Sequence, residues 1–151
     1  MIRQDILNAM RERFTAISTG NGYNYNVAKC TLSPVIPEPR LVNLYVGIID
    51  RGQEIIKNNF GSNGPEDMIL DVDVETKIRI SKTMQEPNYT LAHGKMVADI
   101  RKAAGVDDTW GGKALLTNYI QDKTDIQFGD AIIVQSIISF KIQFRVSRWS
   151  N

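Results

Sequence analysis

The chain is poor in the residues from which reactive centres are usually assembled: it has one cysteine, Cys30, and one histidine, His93. A single thiol cannot form an internal disulfide, and one cysteine with one histidine excludes the Cys/His spacing of a zinc site. Charge of one sign is also lacking. The 18 basic residues offset 17 acidic ones to leave a net charge of +1, so no global attraction to nucleic acid or to an anionic membrane is implied. No stretch approaches the ~20 consecutive apolar residues that span a bilayer. The first residues, Met1-Ile2-Arg3-Gln4-Asp5, lack an apolar run of signal-peptide length. The sequence therefore reads as a soluble, unprocessed chain suited to a reducing compartment. It is long enough for one domain, residues 1–151, that buries most of its unfolded surface.

What the sequence does have is alternation of period two. Every even position from Ile132 to Val146 except Ser136 is apolar, while Gln135, Ser139, Lys141, Gln143 and Arg145 hold the odd row. This pattern predicts a strand with one buried face, and its β-branched and aromatic residues favour strand over helix. At ~3.4 Å per residue the segment would reach roughly 50 Å, against a diameter of about 40 Å for a compact chain of this size. Such a strand either bends or projects beyond its own domain, and projection would point to assembly with other copies. Met68 to Ile80 alternates as clearly, with Asp71, Asp73, Glu75, Lys77 and Arg79 on its polar row. Antiparallel pairing with numbers summing to 216 would set Asp71 opposite Arg145, Glu75 opposite Lys141 and Val74 opposite Ile142. Opposite-charge pairs of this kind contribute about 0.2 to 1 kcal/mol each and select one register over a slipped one.

The remaining segments fall into place around these strands. Ile2, Ile6, Leu7, Met10, Phe14 and Ile17 have the spacing of an amphipathic helix over Ile2–Ser18, which Thr19-Gly20-Asn21-Gly22 ends. Tyr23 to Leu32 reads as a strand whose alternation changes phase near Ala28, as a bulge would cause. Pro34 to Arg40 holds three prolines and reads as a surface loop, and Leu41–Asp50 as a buried strand. Arg51–Asp67 reads as a mobile loop because Lys57 to Pro65 is polar and glycine-rich, with Phe60 its one large apolar residue. Asn88 is a plausible N-cap for a helix that buries Tyr89, Ala92, Met96, Ile100 and Ala103 and ends at Gly105. A turn-rich link over Asp107–Lys113, a strand over Ala114–Gln121 and a turn over Gln127–Asp130 lead into the final strand.

Few residues suggest chemistry. Asp71, Asp73 and Glu75 share one strand face, but same-face neighbours lie about 6.8 Å apart. Solvation or pairing with Lys141 and Arg145 therefore explains them better than a cation site. His93 beside an apolar helix row suits a half-buried structural role rather than a general base. Cys30 reads as a small core residue. Gly111-Gly112-Lys113 lacks the six-residue spacing and the following Ser or Thr of a phosphate loop. Basic residues are scattered among acids without an RNA-type aromatic motif. No catalytic, cofactor-binding or metal-binding residue is assigned. The Arg145-Val146-Ser147-Arg148-Trp149 end combines residue types enriched at protein interfaces, although Trp149 folded back over the sheet edge explains it equally. Ile133 and Ile137 on the polar row, with Ile69, call for partial cover from loops or from a neighbouring subunit. Ile133, Ile137, Arg145, Arg148 and Trp149 are therefore the candidate subunit interface.

Three segments, Ile17-Ser18-Thr19-Gly20-Asn21-Gly22-Tyr23-Asn24-Tyr25, Pro39-Arg40-Leu41-Val42-Asn43-Leu44-Tyr45-Val46-Gly47 and Met96-Val97-Ala98-Asp99-Ile100-Arg101-Lys102-Ala103, carry a family likeness. In order and spacing, with the closing Phe140-Lys141-Ile142-Gln143-Phe144-Arg145, they resemble the tail terminator, or tail completion, proteins of tailed bacteriophages. The chain departs from that family in having Phe144 where a tyrosine is familiar, and in its proline-rich Pro34–Arg40 connection. The resemblance implies an α+β fold, a mainly antiparallel curved sheet with two helices packed on one side. It also implies a homo-oligomer, a hexameric ring that caps the tail tube and ends its polymerisation. The implied partners are the tail-tube protein, a neck or head-connector protein and, in a contractile tail, the sheath; DNA passes through the lumen without specific binding, and no membrane is involved. Such a protein resides in the virion after assembly in the host cytoplasm and works by binding without turnover. Head-to-tail ring contacts need two different patches on each copy. Lys57, Asn58, Asn59, Phe60 and Asn63 then form the candidate loop for contact with tube or connector. Another phage joining protein, such as a head-completion or neck protein, is the nearest alternative. A small enzyme is a distant one, and it would need a pocket uniting His93 with Asp71, Asp73 and Glu75.

Overall fold

Three strands of 15 or 16 residues lie side by side and set the dimensions of the fold: β2 (Leu44–Asn58), β3 (Pro65–Ile80) and β5 (Ile132–Ser147). With β1 (Val27–Thr31) and β4 (Leu116–Phe128) they form a five-stranded sheet in the order β1-β2-β3-β5-β4. Every pairing is antiparallel except that of β1 with β2. The computed structural model describes residues 1–34, 43–58, 64–80, 89–129 and 131–147. Helices α1 (Ile2–Thr15) and α2 (Tyr89–Gly105) pack on one face, so the fold is α+β as expected, with both helices on the same side of a mostly antiparallel sheet.

The core is the even row of the alternating strands. Leu70, Val72, Val74 and Ile78 of β3 and Val134, Ile138, Ile142 and Phe144 of β5 meet Ile6, Met10 and Phe14 of α1 and Met96 and Ile100 of α2. The row is buried from Ile132 to Val146. β5 therefore does not project beyond its own domain, and its length alone is no sign of assembly.

The β3–β5 pairing is present, but its numbers sum to 212 rather than 216: Asp67 faces Arg145, Asp71 faces Lys141 and Val74 faces Ile138. The reason is visible in the core row. This register sets Thr76 opposite Ser136, and Thr76 Oγ1 donates to the Ser136 carbonyl at 3.3 Å. The expected register would have placed each buried hydroxyl against hydrocarbon, Thr76 on Phe140 and Ser136 on Ile80, at a cost that surface ion pairs cannot offset. The slip is an even number of residues, so every side chain keeps its face.

Further expectations are corrected. Arg51–Asn58 is strand rather than loop, and β3 begins at Pro65 rather than Met68. Register shifts between Asp50 and Gly52 and between Ile55 and Lys57 break the side-chain alternation that would have revealed this half of β2. Gly52 has φ 112, a conformation that favours glycine. Tyr23–Asn26, expected in a strand, is a turn that precedes β1, while the phase change near Ala28 is matched by a register shift between Val27 and Lys29. β4 runs to Phe128, past the expected end at Gln121, because the β5 ladder holds its polar second half. Val35–Val42, the Asn88 cap and Asp130 lie outside the described residues.

Candidate assembly surface and its supporting polar clusters

The turn after α1 is fastened to α2 by a buried carboxylate. Asp99, 1% exposed, accepts the backbone amides of Asn24 and Tyr25 at 2.9 Å each and the Asn24 side-chain amide at 3.0 Å. One turn along the helix, Lys102 Nζ donates to the Gly22 carbonyl at 2.7 Å and lies over the Tyr23 ring. Asn26 then links turn and sheet: its side-chain oxygen accepts the Thr19 amide, and its carbonyl accepts the Leu44 amide at 2.9 Å. Burial, followed by the charge of Asp99, pushes the Tyr25 phenol upward.

The sheet face away from the helices carries the odd rows, and four of its carboxylates are matched by cations within the chain. Arg145 Nε donates to Asp67 at 2.6 Å, Lys141 to Asp71 at 2.9 Å and Arg51 to Asp73 at 2.9 Å, while Lys77 lies 2.9 Å from Glu75. Ser139 Oγ adds a 2.7 Å bond to Asp73. The Asp71 carboxylate, by hydrogen bond and charge, pushes the Lys141 ammonium up. The Asp71, Asp73 and Glu75 row is thus taken up by ion pairs and the Ser139 bond, although Arg145 serves Asp67 rather than Asp71. Ile133 and Ile137 are half-buried on this face, between Arg79 and Gln127 and between Glu75 and Lys123 respectively. Arg145 lies near the end of β5. Lys57 and Asn58 end β2, whereas Asn59, Phe60, Asn63, Arg148 and Trp149 lie outside the described residues.

Sequence reasoning missed a polar cluster on the helix side. His93 Nδ1 lies 2.5 Å from Ser136 Oγ, His93 Nε2 lies 2.7 Å from Asp122 Oδ1, and the Tyr119 hydroxyl donates to Asp122. Neutral His93 satisfies both neighbours by donating from Nε2 to the carboxylate and accepting the serine hydroxyl at Nδ1. The bond to Asp122 pushes the Tyr119 phenol up, and the Tyr119 hydroxyl, aided by His93, holds the Asp122 carboxyl down against its partial burial. The residue types are those of a nucleophilic triad, but Ser136 is wholly buried and its Oγ cannot meet a substrate. The cluster ties α2 to β4 and β5. His93 and the Asp71, Asp73 and Glu75 row lie on opposite faces of the sheet, so the pocket that an enzyme reading required is not formed. The break in the apolar row at Ser136 was the one available signal; Asp122, in a polar stretch, had none.

Cys30 pairs with Val46 in the ladder and packs against the core. Burial pushes its thiol up to about 12, against the pull of a Thr15 hydrogen bond and the Arg11 charge. At pH 8 its thiolate fraction is then on the order of a thousandth of that of a free cysteine. Alkylation of the folded protein should be slower in proportion, with full reactivity on denaturation. Labelling of the native thiol at the free-cysteine rate would contradict this burial.

Two stretches of sheet edge have no strand neighbour among the described residues: all of β4, and β2 from Ile48 onward, since β1 covers only Leu44 to Gly47. Exposed apolar residues mark both, Ile55 and Ile56 on β2 and Leu115, Ile120 and Phe128 on or beside β4. Compared with known proteins, the chain matches no family model, and no curated protein matches it.

Proposed function

We propose that the chain is a structural subunit of a homo-oligomeric ring that caps a phage tail tube, stops its polymerisation and joins it to a neck or head-connector protein. One observation carries this reading. The segments that resemble tail terminators are remote in sequence, yet hydrogen bonds through Asp99, Lys102 and Asn26 gather them at one junction of turn, helix and sheet. Two unlike sheet edges without a strand neighbour among the described residues give further support, because a head-to-tail ring needs two different patches per copy. The candidate interface of Ile133, Ile137, Arg145, Arg148 and Trp149 and the contact segment of Lys57, Asn58, Asn59, Phe60 and Asn63 belong to the same proposal. So do a sheath contact in a contractile tail, passage of DNA through the lumen, a hexameric count, residence in the virion and the absence of catalysis.

The test is the mass of the purified protein alone and after mixing with tail-tube protein. A ring that binds the end of tube segments and halts their growth is expected. A ring that instead co-purifies with portal components would make the chain a head-completion or neck protein, and a permanent monomer would end both readings. Deleting residues 59–63 should leave the ring intact and abolish tube capping; loss of the ring on deletion would refute that division of labour.

A further inference from the structure

The geometry points to a specific junction between neighbouring copies: the first half of β4 adds as an antiparallel strand to the uncovered half of β2 on the next copy. This inference rests on the ring reading above.

Strand direction is the first argument. β2, β3, β5 and β4 alternate in direction across the sheet. Rotating a copy about an axis along the strands brings its β2 beside β4 of the first copy with the alternation unbroken. The second argument is level. Through the shared ladders, Leu116 to Gln121 of β4 lie level with Glu54 to Ile49 of β2, whereas Lys123 to Asp125 lie level with the stretch of β2 that β1 already covers.

Charge follows the same division. Edge strands are commonly protected by charged residues or proline. Leu116-Thr117-Asn118-Tyr119-Ile120-Gln121 contains neither, with a bulge between Tyr119 and Gln121. Lys123 and Asp125, by contrast, lie level with the part of β2 that β1 covers, and Asp122 lies level with Ile48, the first uncovered position. The half of β4 that carries no charge is thus the half level with the uncovered part of β2. Apolar side chains coincide as well. Ile55, 47% exposed on one edge, pairs through Met68 with Phe144, one step beyond the Leu116–Gln143 pair and so level with Leu115, 44% exposed just before β4. Ile120, five residues further on, is 46% exposed. Pairing the two edges would cover all three and engage backbone groups that have no strand partner among the described residues.

The experiment compares the wild-type chain with Ile55→Lys, Leu115→Glu and the double variant, using solution mass and amide hydrogen exchange. Both altered side chains are exposed, so circular dichroism should show native folding in each variant. Each single variant is expected to lose the ring, and the double variant to regain it, because its lysine and glutamate meet across the junction. In the wild-type ring, amides of residues 48–54 and 116–121 should exchange at least tenfold more slowly than in the single-variant monomers. Rings in both single variants, or no added protection of these amides in the ring, would overturn the edge assignment while leaving the ring itself standing. A dimer surviving in Ile55→Lys but not in Leu115→Glu would replace it with pairing of β4 on β4. A wild-type chain that is monomeric at every concentration would remove the ring reading.

Discussion

Replacing Asp99 with alanine is expected to lower the unfolding free energy by about 3 kcal/mol, a large part of what holds a domain of this size together. The carboxylate is buried and is the common acceptor for the amides of Asn24 and Tyr25 and for the Asn24 side chain. Hydrogen bonds to a charged group contribute more than neutral ones, and removing the acceptor leaves part-buried donors unpaired. The turn over residues 22–26 would then come away from α2, and the Leu44 amide that Asn26 receives would lose its support. Asp99→Asn separates the bonds from the charge. One oxygen can still accept both Asn24 donors, while the new amide faces the Tyr25 N–H, so a loss of roughly 1 to 2 kcal/mol is expected. Urea unfolding curves of the three proteins decide the matter. An alanine variant within about 0.5 kcal/mol of wild type would mean that the turn stands without this anchor.

Trp110→Ala should destabilise by about 3 to 5 kcal/mol, the range for deleting a fully buried large aromatic. Trp110 has no exposed surface and meets the Phe14 ring edge-on at 6.0 Å between centroids, with the Arg13 guanidinium 4.2 Å above it. Its indole N–H donates to Thr117 Oγ1 at 2.8 Å, at the start of β4. One side chain thus joins α1, the link after α2 and an otherwise open edge strand. The link is shaped to deliver it. Asp107 accepts the Thr109 amide and hydroxyl and the Gly111 amide, and Trp110, Gly111 and Gly112 follow with φ of 53, 75 and 81. Those bonds, the Thr109 hydroxyl first, hold the Asp107 carboxyl down to about 2. The folded-state value lies below the ordinary one. The link's support is therefore complete above about pH 4 and is lost as pH falls toward 2. Trp110→Phe keeps most of the volume and loses the indole bond, so a loss of roughly 1 to 2 kcal/mol is expected, read from the same denaturation curves. Equal losses for phenylalanine and alanine would show that the bond to Thr117, rather than the buried ring, carries the stability.

Periodicity in this sequence was sufficient to identify which residues of β3, β5, α1 and α2 face the core, because those faces repeat every two residues or every three to four. Where a bulge intervened, as at Arg51 in β2, the repeat broke and the strand was hidden, although its backbone ladder continued. β4 was hidden for a different reason: at an edge both faces are largely exposed, so burial imposed no alternation on its second half.

Residue order by itself determined the two helices, the inward rows of the long strands and the scarcity of reactive groups, since each depends on neighbours a few positions apart or on composition. Only the tertiary structure decided the register of β3 on β5, the anchoring of the turn by Asp99, the union of His93 with Ser136 and Asp122, and which sheet edges have no strand neighbour among the described residues. Each of these is a choice among partners dozens of residues away, made by burying hydroxyls, carboxylates and amides where a partner was within reach, and no local pattern records that outcome.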